Sequence, residues 1–196
     1  MKKIVFALVI VFSGVIQCEA QHDTAMTNRL AAVLQYTQQM NLEKIMDYTY
    51  PKLFTIATRK QMLEALKSSF ESEEFSTTLD SVKMVKIFPS FTMNGESYAK
   101  IKHTMIMRMK FKGPADTSET GDRVFMAGLM EQQFGEGNVR YDSIGDAIVI
   151  NVLADLLAIK SKEDSLWYFV NFNEDDAYVL NLLFSKEVLD KLKEYQ

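Results

Sequence analysis

His103 is the residue of this chain best placed to do chemistry. It stands in the stretch YAKIKHTMIMRMKFK, Tyr98 to Lys112, on the same parity as Ala99, Ile101, Met105, Met107, Met109 and Phe111. An imidazole on an apolar strand face is a base, or a hydrogen-bond partner for a ligand, near neutral pH; a core histidine bonded to a carbonyl or a tyrosine is the other reading. Asp155 interrupts the apolar run Ile148 to Ile159, with Asn151 on its parity four residues earlier. A carboxylate buried there would titrate high and act as acid or base, whereas an outward-facing edge or a bulge accounts for it more simply. Asp47, Tyr48 and Tyr50 fall near the end of a predicted helix, where they offer polar contacts to a ligand or pack with wet tips. Met105 and Met107 are thioethers able to reshape around varied ligands, or to fill core. Trp167, with Tyr168 and Phe172, reads as sheet core or subunit contact ahead of a stacking platform. The candidate ligand-binding set is therefore His103, Tyr48, Tyr50, Asp47, Met105, Met107, Asp155 and Trp167, with no catalytic residue assigned.

Several chemistries are excluded by what is missing. Two histidines and one cysteine leave little from which to build a zinc site. Gly135-Glu136-Gly137 lacks the third glycine of a dinucleotide loop and follows a helix, not a strand. Asn171, Asn173 and Asp175 have the spacing of a calcium loop, but Asp176 replaces the required glycine and Leu182 stands where the bidentate glutamate belongs. No nucleophile elbow is present. No metal and no cofactor is expected. Lys100, Lys102, Arg108, Lys110 and Lys112 form a basic stripe on the other parity of the central strand, ordinary for an outward sheet face and a deterrent to edge pairing, with polyanion binding as the alternative.

The elements that must position these residues follow from periodicity. The alternation over Tyr98 to Lys112 predicts a long central strand with one face in the core. Before it, a helix is predicted from about Thr24 to Met40, capped by Asp23 or Thr24, with Met26, Leu30, Val33, Leu34 and Thr37 on one face. Asn41 caps a second, Leu42 to about Tyr50, which Pro51 ends or kinks. Thr58 and Gln61 make a capping box for a third, striped by Met62, Leu66 and Phe70. Spacing of two, with Val82, Met84 and Phe88 on one parity, predicts a strand in Thr77 to Phe91, and Asn94-Gly95 a hairpin turn. Gly113 to Gly121 reads as a loop, Asp122 as the cap of a helix Arg123 to Phe134, Val139 to Asp142, Ala147 to Ile159 and Leu166 to Phe172 as strands, and Lys186 to Tyr195 as a closing helix.

Lys2 and Lys3 ahead of the apolar run Ile4 to Ile16, followed by Gln17-Cys18-Glu19-Ala20, have the three regions of a secretory signal. The run is shorter than the roughly 20 residues that span a bilayer. Cleavage after Ala20 is expected, leaving no cysteine; lipidation of Cys18 is the alternative and the one route to a membrane. The remaining chain is one domain, long enough for a core without disulfide staples. The net charge of −4 speaks against general affinity for nucleic acid.

Three helices, then an antiparallel meander, then a short terminal helix, together with NLEKIMDYTYPKLF at Asn41 to Phe54, LWYFVNF at Leu166 to Phe172 and LLFSKEVLDKL at Leu182 to Leu192, resemble the nuclear transport factor 2-like superfamily, in particular its small exported bacterial members. The helix Arg123 to Phe134 departs from that family's usual direct hairpin. The resemblance implies an α+β fold of the cystatin-like roll type, with the N-terminal helices on the concave face of a curved antiparallel sheet. It implies a cone that in some members binds or transforms a small apolar molecule and in others only packs. The carboxylate, tyrosine and protonated carboxyl of ketosteroid isomerase, one of the family's enzymes, find no match here position by position. The expected function is an exported, non-enzymatic binding module for a small apolar or amphipathic molecule. The alternatives are a module that homodimerises through its sheet, suggested by Leu166 to Phe172, and a cofactor-free acid–base enzyme pairing His103 with Asp155 or Tyr48.

Overall fold

A computed structural model describes residues 23–113 and 117–195. The signal segment and Cys18 lie outside these residues. The fold is α+β: among the described residues six α-helices pack against an open, six-stranded antiparallel sheet. Two long strands, β3 (Glu96–Phe111) and β5 (Ala147–Lys160), pair along nearly their whole length at its centre. On the outer side of β3 lie β1 (Phe75–Ile87) and the short β2 (Phe91–Met93); on the outer side of β5 lie β4 (Val139–Asp142) and β6 (Trp167–Phe172).

The register assigns every side chain of this central pair to a face. Ala99, Ile101, His103, Met105, Met107 and Met109 lie opposite Ala158, Leu156, Ala154, Val152, Ile150 and Ile148, so these share one face, here the inner one. Helices α1 (Thr24–Gln38), α2 (Leu42–Tyr48) and α3 (Arg59–Phe70) cover it, and α4 (Thr117–Phe134) covers its far end through Ala127 against Met109, Ile148 and Ile150. The other face is not a bare charged surface at this end. Tyr98, Leu157 and Ile159 pack there beneath α5 (Ala177–Leu183) and α6 (Lys186–Lys193), through Leu180, Leu183, Val188 and Leu192. The central strand is therefore half-buried only over its second half. The helix α5 has no counterpart in the periodicity reading, which placed only a failed calcium loop near it.

Local chemistry fixes the element ends. Asp23 caps α1, its carboxylate accepting from the Ala25 N–H at 2.8 Å. The helix stops at Gln38 because Met40 turns left-handed (φ 54°), which brings the Asn41 N–H onto the Tyr36 carbonyl at 2.9 Å. Asn41 then caps α2 through the Lys44 N–H. That helix ends two residues short of Tyr50. Proline disfavours helical geometry in the residue before it, so Thr49 and Tyr50 run extended, Tyr50 donating to the Phe169 carbonyl at 3.0 Å, and Pro51 opens a short 3-10 turn, Pro51–Thr55. The Thr58–Gln61 capping box forms with both of its bonds. Asn94 and Gly95 are both left-handed (φ 55° and 83°), the geometry of a two-residue hairpin joining β2 to β3.

Two expectations are corrected. The helix α4 begins at Thr117, so Asp122 lies inside it and the loop is shorter than Gly113 to Gly121. Val82, Met84 and Phe88, expected on one parity of a strand, do not share a face: β1 ends at Ile87, and Phe88 beyond it lays its ring against Tyr195. Register slips between Asp80 and Lys83, where Ser81 turns left-handed (φ 52°), and again between Met84 and Lys86, so Thr77 and Leu79 face Met109 and Met107 before the slips, Met84 faces His103 between them, and Ile87 faces Ile101 after them. A bulge inserts a residue and moves inward positions from one parity to the other.

Candidate functional site

Between the inner face and the three N-terminal helices lies a cavity of about 510 Å³. Its floor is His103, Met105 and Met107 of β3 with Val152 and Leu156 of β5; its roof is Val33, Leu34 and Thr37 of α1, Leu42, Ile45 and Met46 of α2, and Met62, Leu66 and Phe70 of α3. Phe134 of α4 and Phe169 of β6 also reach it. The space exists because the roof is unevenly seated. Met26, Leu30 and Val33 sink α1 fully into the sheet, whereas α3 has no fully buried residue and rests on α2 and β1 instead. Its stripe of Met62, Leu66 and Phe70 therefore meets open volume where a close-packed interior would have side chains. A volume of this size, lined by apolar groups with few polar ones, is typical of a small-molecule site.

His103 is 4 % exposed, and its Nδ1 is buried without a hydrogen-bond partner. Burial pushes the imidazole below its usual value, only partly offset by the charge of Asp155 and the backbone of Ala154. The ring is thus neutral at pH 7. Because the unfolded chain takes up this proton near pH 6.5 and the folded one resists it, stability falls as pH drops below about 6.5, by at most about 1.4 kcal/mol per pH unit. Urea unfolding at pH 7.0 and pH 5.5 should show that loss in the native protein and a shallower one in His103→Gln.

Tyr48 is the second titratable side chain on the wall. Its ring lies 5.8 Å from that of Tyr36, with the Arg29 guanidinium 4.5 Å from its centroid. Met105 and Met107 line the floor as the stripe reading allowed. The remaining candidates are elsewhere. Tyr50 points to the opposite face, where its hydroxyl and that of Tyr98 both donate to the Glu96 carboxylate at 3.0 and 2.8 Å; burial, then that carboxylate, hold both phenols well above their usual range. Asp47 is exposed at the surface and ion-paired to Arg59 at 2.8 Å.

Asp155 lies opposite Lys102 in the ladder, on the outer face. Neither a bulge nor an edge explains it. It pairs with Lys100 at 2.9 Å and Lys102 at 3.7 Å. His103 and Asp155 therefore stand on opposite sides of the sheet, and no acid–base pair forms between them. The basic stripe is likewise not free: Lys100 is buried, Arg108 pairs with Asp142 at 3.0 Å, and Lys112 with Glu71. Trp167 is core. Its indole N–H donates to Asp23 at 3.0 Å, and with Lys160 it pulls that carboxylate down to about 2. Phe169 and Phe172 are also buried, while Leu166, just ahead of the strand, is exposed.

The roof residues were visible in the sequence as amphipathic stripes, but periodicity does not distinguish a stripe that packs from one that faces a void. Among the described residues no cluster of histidine, cysteine or carboxylate side chains has the makings of a metal site, and no helix is long and apolar enough to cross a membrane. No family model matches the chain, and no curated protein does.

Proposed function

We propose that this protein is an exported, non-enzymatic binding module of the nuclear transport factor 2-like kind, which holds a small apolar or amphipathic molecule between its N-terminal helices and its sheet. The observation that carries this reading is the cavity: about 510 Å³, apolar on nearly every side, and interrupted by one buried histidine. Export rests on the sequence from Lys2 to Ala20. A non-enzymatic role is supported by the opposed faces of His103 and Asp155, which leave the cavity without a carboxylate to orient or recharge the imidazole.

Binding of N-phenyl-1-naphthylamine, an apolar dye whose fluorescence rises on leaving water, tests the reading. The native protein should bind it at one molecule per chain. Val152→Trp, which adds an indole to the cavity floor at a position where aromatic residues suit a strand, should weaken binding by tenfold or more while leaving the far-ultraviolet circular dichroism unchanged. Equal binding by both proteins would place the dye elsewhere and remove the cavity as the site. Native mass spectrometry of protein purified from its own host would add the identity of any retained molecule.

A further inference from the structure

The polar side chains around the cavity are Thr37, Tyr48, Thr49, His103 and Asn171, the last at an exposed position open to solvent. Thr37 donates its hydroxyl to the Val33 carbonyl at 2.8 Å, and Thr49 donates to the Ile45 carbonyl at 3.0 Å, so each is satisfied within its own helix. Tyr48 holds its ring between Tyr36 and Arg29. Arg29 itself donates to the Trp167 carbonyl at 2.6 Å. No lysine, arginine or carboxylate lines the cavity. His103 Nδ1 is left as the buried side-chain atom of the wall with nothing to bond. A buried polar atom without a partner costs free energy that a suitable guest recovers.

We propose that the cavity's occupant is an uncharged, largely apolar molecule bearing a hydroxyl, and that this hydroxyl bonds to His103 Nδ1. The inference rests on the cavity being a binding site and adds the chemistry of the guest. A carboxylate or phosphate would enter without a countercharge, losing its hydration for nothing in return. A pure hydrocarbon would leave Nδ1 as it is. A neutral imidazole carries one donor and one acceptor nitrogen, and a hydroxyl, which both gives and accepts, satisfies Nδ1 in either tautomer, where a ketone or ether satisfies only one. Charge does not return to the site from neighbouring elements: the titratable side chains on the wall are His103 and Tyr48, and the nearest carboxylate the imidazole senses, Asp155, is across the sheet and held by Lys100 and Lys102. From His103 the floor continues through Met105 to Met107, about 13 Å of strand at roughly 3.3 Å per residue, so an aliphatic body has apolar wall to lie along.

The test is displacement of bound N-phenyl-1-naphthylamine by 1-decanol, methyl decyl ether and decanoate at pH 7.5, which share one chain and differ in the head group. The native protein is expected to prefer 1-decanol over the ether by roughly three- to tenfold, the ratio one neutral hydrogen bond provides, and over decanoate by more. In His103→Phe the preference for alcohol over ether should vanish while the dye still binds. Should that variant fail to fold, the native protein answers by itself: the His103 ring 15N resonances must shift with 1-decanol and not with the ether. Dye binding with decanoate equal to or better than 1-decanol, or an unchanged imidazole spectrum, overturns the hydroxyl inference and leaves the cavity reading standing. Failure of the native protein to bind the dye overturns both.

Discussion

Replacing Lys100 with methionine is expected to cost about 3 to 5 kcal/mol of unfolding free energy at pH 7, measured by urea titration. Lys100 is 3 % exposed, yet it lies on the outer parity of β3, where alternation alone would put it in water. It is buried because α5 and α6 close over that half of the sheet. Its ammonium donates to the Tyr195 carbonyl at 3.0 Å, pairs with Asp155 at 2.9 Å, and stands 5.1 Å from the centroid of Phe172. Methionine keeps the length and removes the charge, so Asp155 keeps only the longer pair with Lys102 and the Tyr195 carbonyl loses its donor. Much of the cost is the burial of groups left unpaired. The double variant Lys100→Met, Asp155→Leu should therefore recover a large part of it, and a double variant no more stable than the single one would mean that the pair contributes little and packing the rest.

A second large effect is a contrast between two identical substitutions. Leu157→Ala removes a side chain with no exposed surface from the middle of β5, packed beneath α5 and α6. It should cost about 2 to 5 kcal/mol, the transfer of the lost methyl groups plus the hole they leave. Leu66→Ala, on the roof helix α3, removes the same atoms from a half-buried position that already faces open volume. Its cost should be under about 1.5 kcal/mol, because few contacts are broken and no new tight void is created. Equal losses at the two positions would show that α3 is packed as firmly as the sheet, and the cavity would then be smaller in solution than 510 Å³.

Long amphipathic elements were legible in the sequence because their chemistry is local: the Asn41 cap, the Thr58–Gln61 box, the Asn94-Gly95 turn and the alternation through His103 each specify backbone geometry within a few residues. The end of α2 was legible only to within two residues, since proline fixes the residue before it and does not say where the helix gives out. What could not be read was anything set across the chain. Lys100 looked like surface because its cover, α5 and α6, lies more than 70 residues further on. Asp155 looked like a defect in an apolar run because its partners are on a neighbouring strand. The slip at Ser81 reversed the inward parity of β1, and the one after Met84 restored it, without either leaving an apolar mark of its own.

The site divides in the same way. His103, Tyr48, Met105 and Met107 were legible because parity and helix position already aimed them at the covered face. Tyr50 was misplaced for a simple reason: two residues along an extended chain would keep it with Tyr48, but the backbone between them passes from helix to strand. Tyr48 ends α2 facing the cavity, and Tyr50, paired beside Phe169, sends its ring through to Phe184 and Glu96 on the other side. The volume itself was not legible, because an apolar stripe has the same spacing whether another side chain or empty space lies above it.

The helix α3 lays its stripe over that space without a fully buried residue, and this bears on how a guest would come and go. Whatever resides beneath it need not wait for the fold to come apart. Loss of the contacts of α3 with α2 and β1 would widen the cavity while the ladder between β3 and β5 stays closed, and regions with few buried apolar contacts open at a fraction of the global free energy. For a guest held there, exchange is expected to follow the loosening of α3 and not the stability of the sheet, so that a core made more rigid around Leu157 and Ile159 should leave its residence time little changed.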